Sequence, residues 1–295
     1  MSSTPTKPEL PPAGGRLSVV ATPIGNLEDV TLRALRVLRE ADAVVAEDTR
    51  RTRGLLAHHG IAARLESFHA HSADARVGAL VGELAAGAHL ALVTDAGTPV
   101  VSDPGIRLIA AAAAAGVRVE TLPGPSAVTA ALAVAAIRCD TFRFVGFLAR
   151  SGGRRRRVLE EIAHERGATV LFEAPTRLAA TLRDLASHVG ETRAVAVCRE
   201  LTKVHEEVVR GTAAELAERW TEGARGEVTI VVEGTGAEAG AAAAVAEDEA
   251  IAARIRELLA GGTSPRDAAR EIAREMALPR ADAYQRVLRE RDRGK

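Results

Sequence analysis

The chain has 295 residues, of which 47% are hydrophobic and 2% aromatic, and its formal net charge is zero. This length suggests two domains with an extension. The zero net charge excludes a global attraction to nucleic acid, so any binding of nucleic acid must rest on local basic patches. The isolated cysteines Cys139 and Cys198 argue against a disulfide framework and fit a reducing cytoplasm. Apolar runs such as 127–137 are too short to span a bilayer, so we expect no membrane association.

The first 236 residues divide into a tail and two α/β segments. Residues 1–16 are rich in Pro, Ser and Thr, which predicts a disordered tail. Strand and helix patterns then alternate over 17–125, from a strand at 17–21 and a helix at 31–40 onward. A second alternating set covers 126–236. The alternation predicts two α/β domains, the first built on a parallel sheet covered on both faces.

The last 59 residues have a different character. Residues 237–250 are rich in Gly, Ala and Glu, and we interpret them as a flexible acidic linker. Helical spacing resumes over 251–295, interrupted at 261–265 and Pro279, which predicts a helix-turn-helix-like module of three short helices. From residue 250 onward, 11 Lys and Arg stand against 7 Asp and Glu, an excess that suggests nucleic-acid contact.

Three loops rich in Pro and Gly each follow a predicted parallel strand, at the edge where open α/β sheets bind ligands. Their glycines permit close backbone approach, and their Asp and Ser side chains can bond to hydroxyl groups or cap the next helix. An ordinary turn, a helix cap or an interdomain hinge is the alternative for each loop. No loop matches a dinucleotide fingerprint or a Walker A sequence. The candidate ligand-binding residues are Pro23, Gly25, Asp95, Ala96, Gly97, Thr98, Pro99, Val101, Ser102, Asp103, Pro123, Gly124 and Ser126.

Seven ordered motifs together resemble one known family. They occupy residues 23–26, 47–50, 95–105, 123–126, 146–148, 172–177 and 199–203. This set is similar to the ribosomal RNA small subunit methyltransferase I family, the 16S rRNA cytidine-2′-O-methyltransferases of the tetrapyrrole (corrin/porphyrin) methylase superfamily. The resemblance covers about residues 17–233, and the C-terminal helices resemble the helix-turn-helix extension of that family.

The resemblance implies a tetrapyrrole-methylase-like fold with a parallel N-terminal sheet, a mixed C-terminal sheet and a small helical extension. It further implies S-adenosylmethionine in the interdomain cleft, with 95–102 and 123–126 lining the cofactor pocket. The implied partners are 16S rRNA of the small ribosomal subunit and a second copy of the chain. The sequence departs from the family pattern at 69–72 and at Thr176, so we assign no essential role there.

Methylation of a ribose hydroxyl needs the acceptor positioned in line with the methyl group, and a general base or a cation near the weakly acidic hydroxyl would help. Interdomain ion pairs are an alternative role for the charged residues of the motifs. No metal is expected, because the histidines lack a matching acidic set. The candidate catalytic residues are Glu47, Asp48, Arg50, Glu173, Glu200 and Lys203.

A basic run follows the 146–148 motif. Arg150 and the four consecutive arginines 154–157 flank a Ser-Gly-Gly segment. We interpret the run as a phosphate contact for RNA. A solvated helix start is the alternative, although basic residues at a helix N-terminus oppose the helix dipole.

Two other functions remain open. A methylase of the same fold could act on a tetrapyrrole or a diphthine precursor, but it would need neither the basic run nor the C-terminal module. A non-enzymatic nucleic-acid-binding protein could use the C-terminal helices, but it would not need the stiff pocket loops. Binding of S-adenosylmethionine and methyl incorporation into small ribosomal subunits separate the three.

Overall fold

The computed structural model describes residues 14–69, 74–99, 105–276 and 278–293, with side-chain surroundings for all of these except 237–247 and 293. The sequence predicted a tail over residues 1–16. Residues 1–13 lie outside the described residues, and the first strand begins at Arg16.

The first domain is a five-stranded parallel sheet with helices on both faces. Its strand order is β3-β2-β4-β1-β5, and every pair is parallel, as predicted. The first two helices pack on one face and the next two on the other, so the strands are buried on both sides. The elements are β1 (Arg16–Val20), α1 (Leu32–Glu40), β2 (Ala43–Ala46), α2 (Thr49–His58), β3 (Leu65–Ser67), α3 (Asp74–Ala85), β4 (His89–Val93), α4 (Ile106–Ala114) and β5 (Arg118–Leu122), with a 3-10 helix at Leu27–Asp29.

The second domain is a mixed five-stranded sheet of order β6-β7-β10-β8-β9. Only the β6–β7 pair is parallel among its strand pairs, which confirms the mixed sheet. Helices α6, α7 and α8 cover one face and α5 the other. The elements are α5 (Ala127–Val134), β6 (Phe142–Phe147), α6 (Gly153–His164), β7 (Ala168–Glu173), α7 (Leu178–Val189), β8 (Ala194–Arg199), β9 (Glu207–Thr212), α8 (Ala213–Arg219) and β10 (Val228–Val232), with a 3-10 helix at Pro175–Arg177.

The two domains share apolar packing around α5. Ile24 of the first domain lies in the same buried cluster as Val128 and Ala131 of α5 and Cys198 of β8. Burial raises the pKa of the Cys198 thiol to about 11. Cys139 is half-buried, on the segment that joins α5 to β6. The domains are therefore held by a continuous apolar contact as well as by the connecting chain.

The C-terminal region consists of α9 (Gly236–Ala260), α10 (Pro265–Glu275) and α11 (Arg280–Arg293), the three helices expected there. They enclose a small core of their own that includes Ile255, Ile272 and Val287. The segment 237–250, predicted as a linker without regular structure, lies instead inside α9. Its alanines have the highest helix propensity of any residue, and this outweighs its low-complexity composition. Among the described residues no helix has the length and apolar character needed to cross a bilayer.

Candidate active site

The three Pro- and Gly-rich loops converge at one edge of the first sheet. Thr22 and Gly97 exchange two backbone hydrogen bonds of 2.9 Å, which tie the loop after β1 to the loop after β4. The Thr98 hydroxyl donates to the Pro125 carbonyl oxygen at 3.2 Å and so ties in the loop after β5. The carboxyl ends of β1, β4 and β5 thus form one hydrogen-bonded surface, as their position after parallel strands predicted.

Gly97 is required by the backbone path of this surface. Its φ is +81°, a conformation that costs a residue with a side chain roughly 1–2 kcal/mol. A Cβ atom there would also stand 3.4 Å from Ile24 Cγ2. A larger side chain at this position would therefore push against the neighbouring loop.

A cavity of about 580 Å³ lies against this surface, between the two domains, and its size is typical of a small-molecule site. The first domain contributes Ile24, Glu47, Arg51, Thr94, Asp95, Ala96, Gly97 and Thr98, and the start of α5 contributes Ser126 and Ala127. The second domain contributes Phe147, Phe172, Glu173, Ala174, Pro175, Gly226, Glu227, Val228 and Thr229.

The predicted ligand-binding residues fall into three groups. Those that line the cavity are Asp95, Ala96, Gly97, Thr98 and Ser126. Those that lie beside it without lining it are Pro23, Gly25, Pro123, Gly124 and Pro99, the last in a separate small hollow. Val101, Ser102 and Asp103 lie outside the described residues.

Polar groups on the first-domain wall are available to a ligand. The Thr94 hydroxyl is buried and has no hydrogen-bond partner within the described part of the chain. Ser126 occupies the predicted N-cap of α5, but its side chain makes no capping hydrogen bond. Asp95 accepts the Asp48 amide N–H at 2.9 Å, and Arg51 Nε lies 3.8 Å from its other oxygen. A buried hydroxyl without a partner is costly, so this wall suits a polar ligand.

Asp48 and Arg50 form a local pair at the start of α2. Asp48 caps the helix by accepting the Arg50 amide N–H at 2.9 Å, and the Arg50 guanidinium bonds to both carboxylate oxygens at 3.0 and 2.7 Å. These hydrogen bonds hold the pKa of Asp48 far below its ordinary value. Neither side chain lines the cavity, whereas their neighbours Glu47 and Arg51 do.

Glu173 lies in a closed polar network. Its buried side chain accepts the Ala174 amide at 2.7 Å and the Thr181 hydroxyl at 2.6 Å, and it pairs with Arg177 at 2.5 Å. Both oxygens are thus occupied by groups of the protein. This arrangement holds the start of α7 on β7 and engages both oxygens of Glu173 in the fold.

The same network corrects the prediction for the basic run. Arg155 is buried, donates to the Thr181 hydroxyl at 3.0 Å, and pairs with Asp184 at 2.6 Å. Its assignment to phosphate contact is therefore wrong, because partners on α7, distant in sequence, fix it inward. Arg156 is exposed and pairs with Glu160 at 3.0 Å. Arg154 and Arg157 are exposed.

Glu200 and Lys203 meet on the loop between β8 and β9. Lys203 Nζ lies 2.8 Å from Glu200 and 3.1 Å from Glu227, which lines the cavity. Burial alone would lower the pKa of Lys203, but the hydrogen bonds that its ammonium group donates to both carboxylates outweigh it and raise the pKa. The bond to Lys203 in turn lowers the pKa of Glu200. Lys203 therefore stays protonated, which excludes it as a general base.

This loop also contacts the first domain. The Asn26 amide donates to the Thr202 hydroxyl at 3.1 Å, and a Cβ on Gly25 would meet the Lys203 side chain and Leu201 carbonyl. Gly25 thus permits a close interdomain approach. This close approach explains why a glycine is needed at position 25, and no direct contact with a ligand is required to account for it.

Sequence reasoning missed most of the second-domain wall. Phe147 and Phe172 lay inside recognised motifs, and the scarcity of aromatics could have marked them, because three of the five phenylalanines cluster here. No sequence signal points to 226–229, which reach the cavity through the pairing of β10 with β7. Within the described residues, no group of three or more His, Cys, Asp or Glu is arranged to hold a metal ion.

Comparison with known proteins places this architecture in a class. The family model of tetrapyrrole (corrin/porphyrin) methylases matches residues 16–217. A solved cobalt precorrin-4 methyltransferase covers 74% of this chain and 94% of its own, with a TM-score of 0.59 and 22% identity. A diphthine synthase covers 76% and 92%, with a TM-score of 0.55 and 16% identity. The chain belongs to the tetrapyrrole methylase family.

Sequence relatives narrow the assignment. A ribosomal RNA small subunit methyltransferase I of Mycobacterium tuberculosis is 46% identical over 88% of this chain and 90% of its own. The protein of the same description in Halalkalibacterium halodurans is 40% identical over 92% and 93%. That of Thermotoga maritima is 44% identical over 75% of this chain and 99% of its own. Within its family, the chain belongs with the ribosomal RNA small subunit methyltransferases I.

Proposed function

We propose that the protein transfers a methyl group from S-adenosylmethionine to RNA of the small ribosomal subunit, at the ribose 2′-hydroxyl of a cytidine in 16S rRNA. The observation that carries the proposal is the interdomain cavity, formed where three hydrogen-bonded loops of the first sheet face the second domain. The relatives described as ribosomal RNA small subunit methyltransferases support the substrate.

The residues of the first-domain wall fit S-adenosylmethionine. The Thr94 hydroxyl, which has no partner among the described residues, the Ser126 hydroxyl, which makes no capping hydrogen bond, and the Asp95 carboxylate offer hydrogen bonds, and Gly97 leaves room beside Ile24. A uroporphyrin-III C-methyl transferase of the same fold binds S-adenosyl homocysteine. Bound here, the cofactor would supply a methyl group on a sulfonium centre. We retain Val101, Ser102 and Asp103 as proposed contacts, and Pro23, Gly25, Pro99, Pro123 and Gly124 as residues that shape the loops.

Positioning the acceptor and removing its proton are the tasks left to the protein. We assign the proton acceptor to Glu47, the predicted catalytic carboxylate that lines the cavity while remaining partly accessible. Asp48 and Arg50 order the start of α2 and so position Glu47. Lys203, held protonated between Glu200 and Glu227, supplies positive charge beside the cavity.

RNA capture is proposed for two basic regions, the exposed Arg150, Arg154 and Arg157 and the C-terminal helices α10 and α11. Arginines 266, 270 and 280 line a groove of about 590 Å³ between these helices, together with the exposed Tyr284. Arginine and an aromatic ring match phosphate and base chemistry. The module therefore serves to hold the subunit near the cavity.

A homodimer acting in the cytoplasm completes the proposal. The exposed apolar side chains Leu27 and Val204 support a self-contact, because they flank the interdomain bond between Asn26 and Thr202. Sedimentation of the purified protein measures the oligomeric state. The ribosomal substrate supports the cytoplasmic assignment.

The test is methyl transfer from labelled S-adenosylmethionine to small ribosomal subunits purified from a strain that lacks this modification. We expect label in the 16S rRNA, on a cytidine ribose after nuclease digestion. Label in a tetrapyrrole or diphthine precursor instead would establish the first alternative, a methylase of the same fold that acts on a small molecule or a diphthine precursor. RNA binding without cofactor binding, measured by calorimetry, would establish the second alternative, a non-enzymatic nucleic-acid-binding protein.

A further inference from the structure

An aromatic cluster forms part of the second-domain wall of the cavity. The Phe172 ring lies 4.9 Å from the Phe144 ring and 5.7 Å from the Phe147 ring, centroid to centroid. Phe144 is partly buried against the core around α5, but Phe147 is 57% exposed. Phe147 and Phe172 both line the cavity. The protein thus presents an aromatic face to solvent at the edge of the cavity.

A β-bulge is responsible for the direction of Phe147. Residues three apart on a regular strand point to opposite faces, yet Phe144 and Phe147 of β6 both contact Phe172. The register of β6 against β7 shifts between these two positions, and Gly146 has a φ of +66°. Bulges of this kind redirect side chains next to functional sites. The second ring is thereby brought to the cavity side of the sheet.

Unpaired arginines follow directly after Phe147. Arg150, Arg154 and Arg157 are exposed, and within the described part of the chain none of them has an ion-pair partner. Arg155 fixes the connecting turn, because its guanidinium donates to the Ala149 carbonyl oxygen at 3.0 Å. The three arginines therefore lie on the turn that follows β6 and at the start of α6.

We propose that Phe147 is the platform on which the target nucleobase stacks, with Phe172 supporting the ring and the three arginines contacting the phosphates of the same strand. This inference rests on the proposed function and names how its substrate is recognised. An aromatic face beside positive charge is the recognition chemistry of single-stranded RNA. A base unstacked from its neighbours regains a stacking partner on Phe147, which places its ribose in the cavity near Glu47.

The cofactor adenine is the competing occupant of the ring. The structure favours the nucleobase, because the Phe147 ring is more than half exposed and the basic run follows Phe147 in the chain. The Thr94 hydroxyl, buried without a partner among the described residues, and the Asp95 carboxylate lie on the opposite, first-domain wall and suit the cofactor. The dissociation constant of S-adenosylmethionine separates the two occupants.

The experiment compares Phe147→Ala, Phe147→Tyr and the matched control Phe142→Ala, which removes a ring that is 49% exposed from the other end of β6. Because stacking on an aromatic side chain contributes about 1–3 kcal/mol per base, we expect Phe147→Ala to raise the KM for the small subunit roughly 5- to 150-fold. Phe147→Tyr and Phe142→Ala should match the wild type. The dissociation constant of S-adenosylmethionine should be the same in all four proteins.

A second measurement does not depend on activity. A single-stranded RNA oligonucleotide carrying the fluorescent base pyrrolocytidine is titrated with each protein saturated with S-adenosyl homocysteine. We expect quenching by the wild type and Phe142→Ala, and none by Phe147→Ala.

Equal quenching and equal KM in Phe147→Ala and the wild type would overturn the stacking proposal, as would a cofactor affinity lost in Phe147→Ala alone. A wild type that shows Phe147-dependent quenching but transfers no methyl group would contradict the proposed function and support the stacking. The two proposals therefore fail by different results.

Discussion

The two walls of the cavity are built in different ways. The first-domain wall is a set of loops tied to one another, with the backbone of Thr22 bonded to that of Gly97 and the Thr98 hydroxyl bonded to the Pro125 carbonyl oxygen. The second-domain wall consists of side chains, notably the rings of Phe147 and Phe172 and the carboxylate of Glu227. Loops that are bonded to one another in this way have one conformation, whereas rings and carboxylates on a sheet can change by substitution without altering the fold. The first therefore suits a ligand common to the whole family, and the second suits the substrate that distinguishes its members.

Glu47→Gln should have the largest effect on catalysis, because it removes the proposed proton acceptor while keeping the shape of the side chain. General bases contribute roughly 10²–10⁴-fold, so we expect kcat to fall at least about a hundredfold. The affinity for S-adenosylmethionine should be unchanged by calorimetry. Asp48→Asn, next in sequence but outside the cavity wall, perturbs only the helix start that positions Glu47, so we expect a smaller loss of kcat. A kcat loss for Asp48→Asn equal to that of Glu47→Gln would place the effect in the start of α2 instead.

Gly97→Val should break the first-domain wall. The new side chain is strained at a φ of +81° and meets Ile24, so we expect the affinity for S-adenosylmethionine to fall about tenfold or more. Gly116→Val is the control, because Gly116 also has a positive φ but open space around its Cβ position. Both variants should lose thermal stability, and only Gly97→Val should lose the cofactor. Equal cofactor affinity in both would remove the loop from the site.

The arginine run sharpens the comparison, since its members differ in burial. Replacing Arg154 and Arg157 with Ser should reduce the slope of log affinity for the RNA against log salt by about 1.4, because each phosphate contact to a single strand contributes about 0.7. The control replaces Arg36 and Arg39 on α1 with Ser. It has the same net charge as the Arg154 and Arg157 variant, and it should keep the salt slope of the wild type.

Arg155→Ser should behave differently from its neighbours. Loss of the buried guanidinium leaves Thr181, Asp184 and the Ala149 carbonyl without their partner, which we expect to cost about 2–3 kcal/mol in the free energy of unfolding. Urea denaturation measures this loss. An unchanged midpoint would show that the network seen around Arg155 does not stabilise the fold.

Removal of the C-terminal helices should have the smallest effect on the chemistry. The relative from Thermotoga maritima matches 221 residues of this chain over 99% of its own length, about the size of the two α/β domains alone. A chain ending at residue 235 should keep its thermal transition and kcat, with the KM for the small subunit raised several-fold because a tethered basic module increases local substrate concentration. A monomer in sedimentation, where the full chain is a dimer, would instead assign α9–α11 to dimerisation.

The sequence allowed prediction of the features that depend on local pattern. Buried strands followed by Pro- and Gly-rich loops predicted the parallel sheet, and topology alone then required the loops at 22–26, 94–99 and 123–126 to meet. Features that depend on distant partners could not be predicted. Arg155 is buried through Thr181 and Asp184, and Phe147 is redirected by a bulge. The helix at 237–250 shows a further limit, since the same alanine-rich composition occurs in helices and in linkers.

The unequal burial of the two thiols gives the protein a native labelling site. A maleimide reacts with the thiolate, and the raised pKa of Cys198 keeps that form negligible at neutral pH. Cys139 is partly accessible and lies on the chain segment that links α5 to β6. A fluorophore could therefore be attached at this junction without mutagenesis, and its emission would report movement of one domain against the other as ligands enter the cleft.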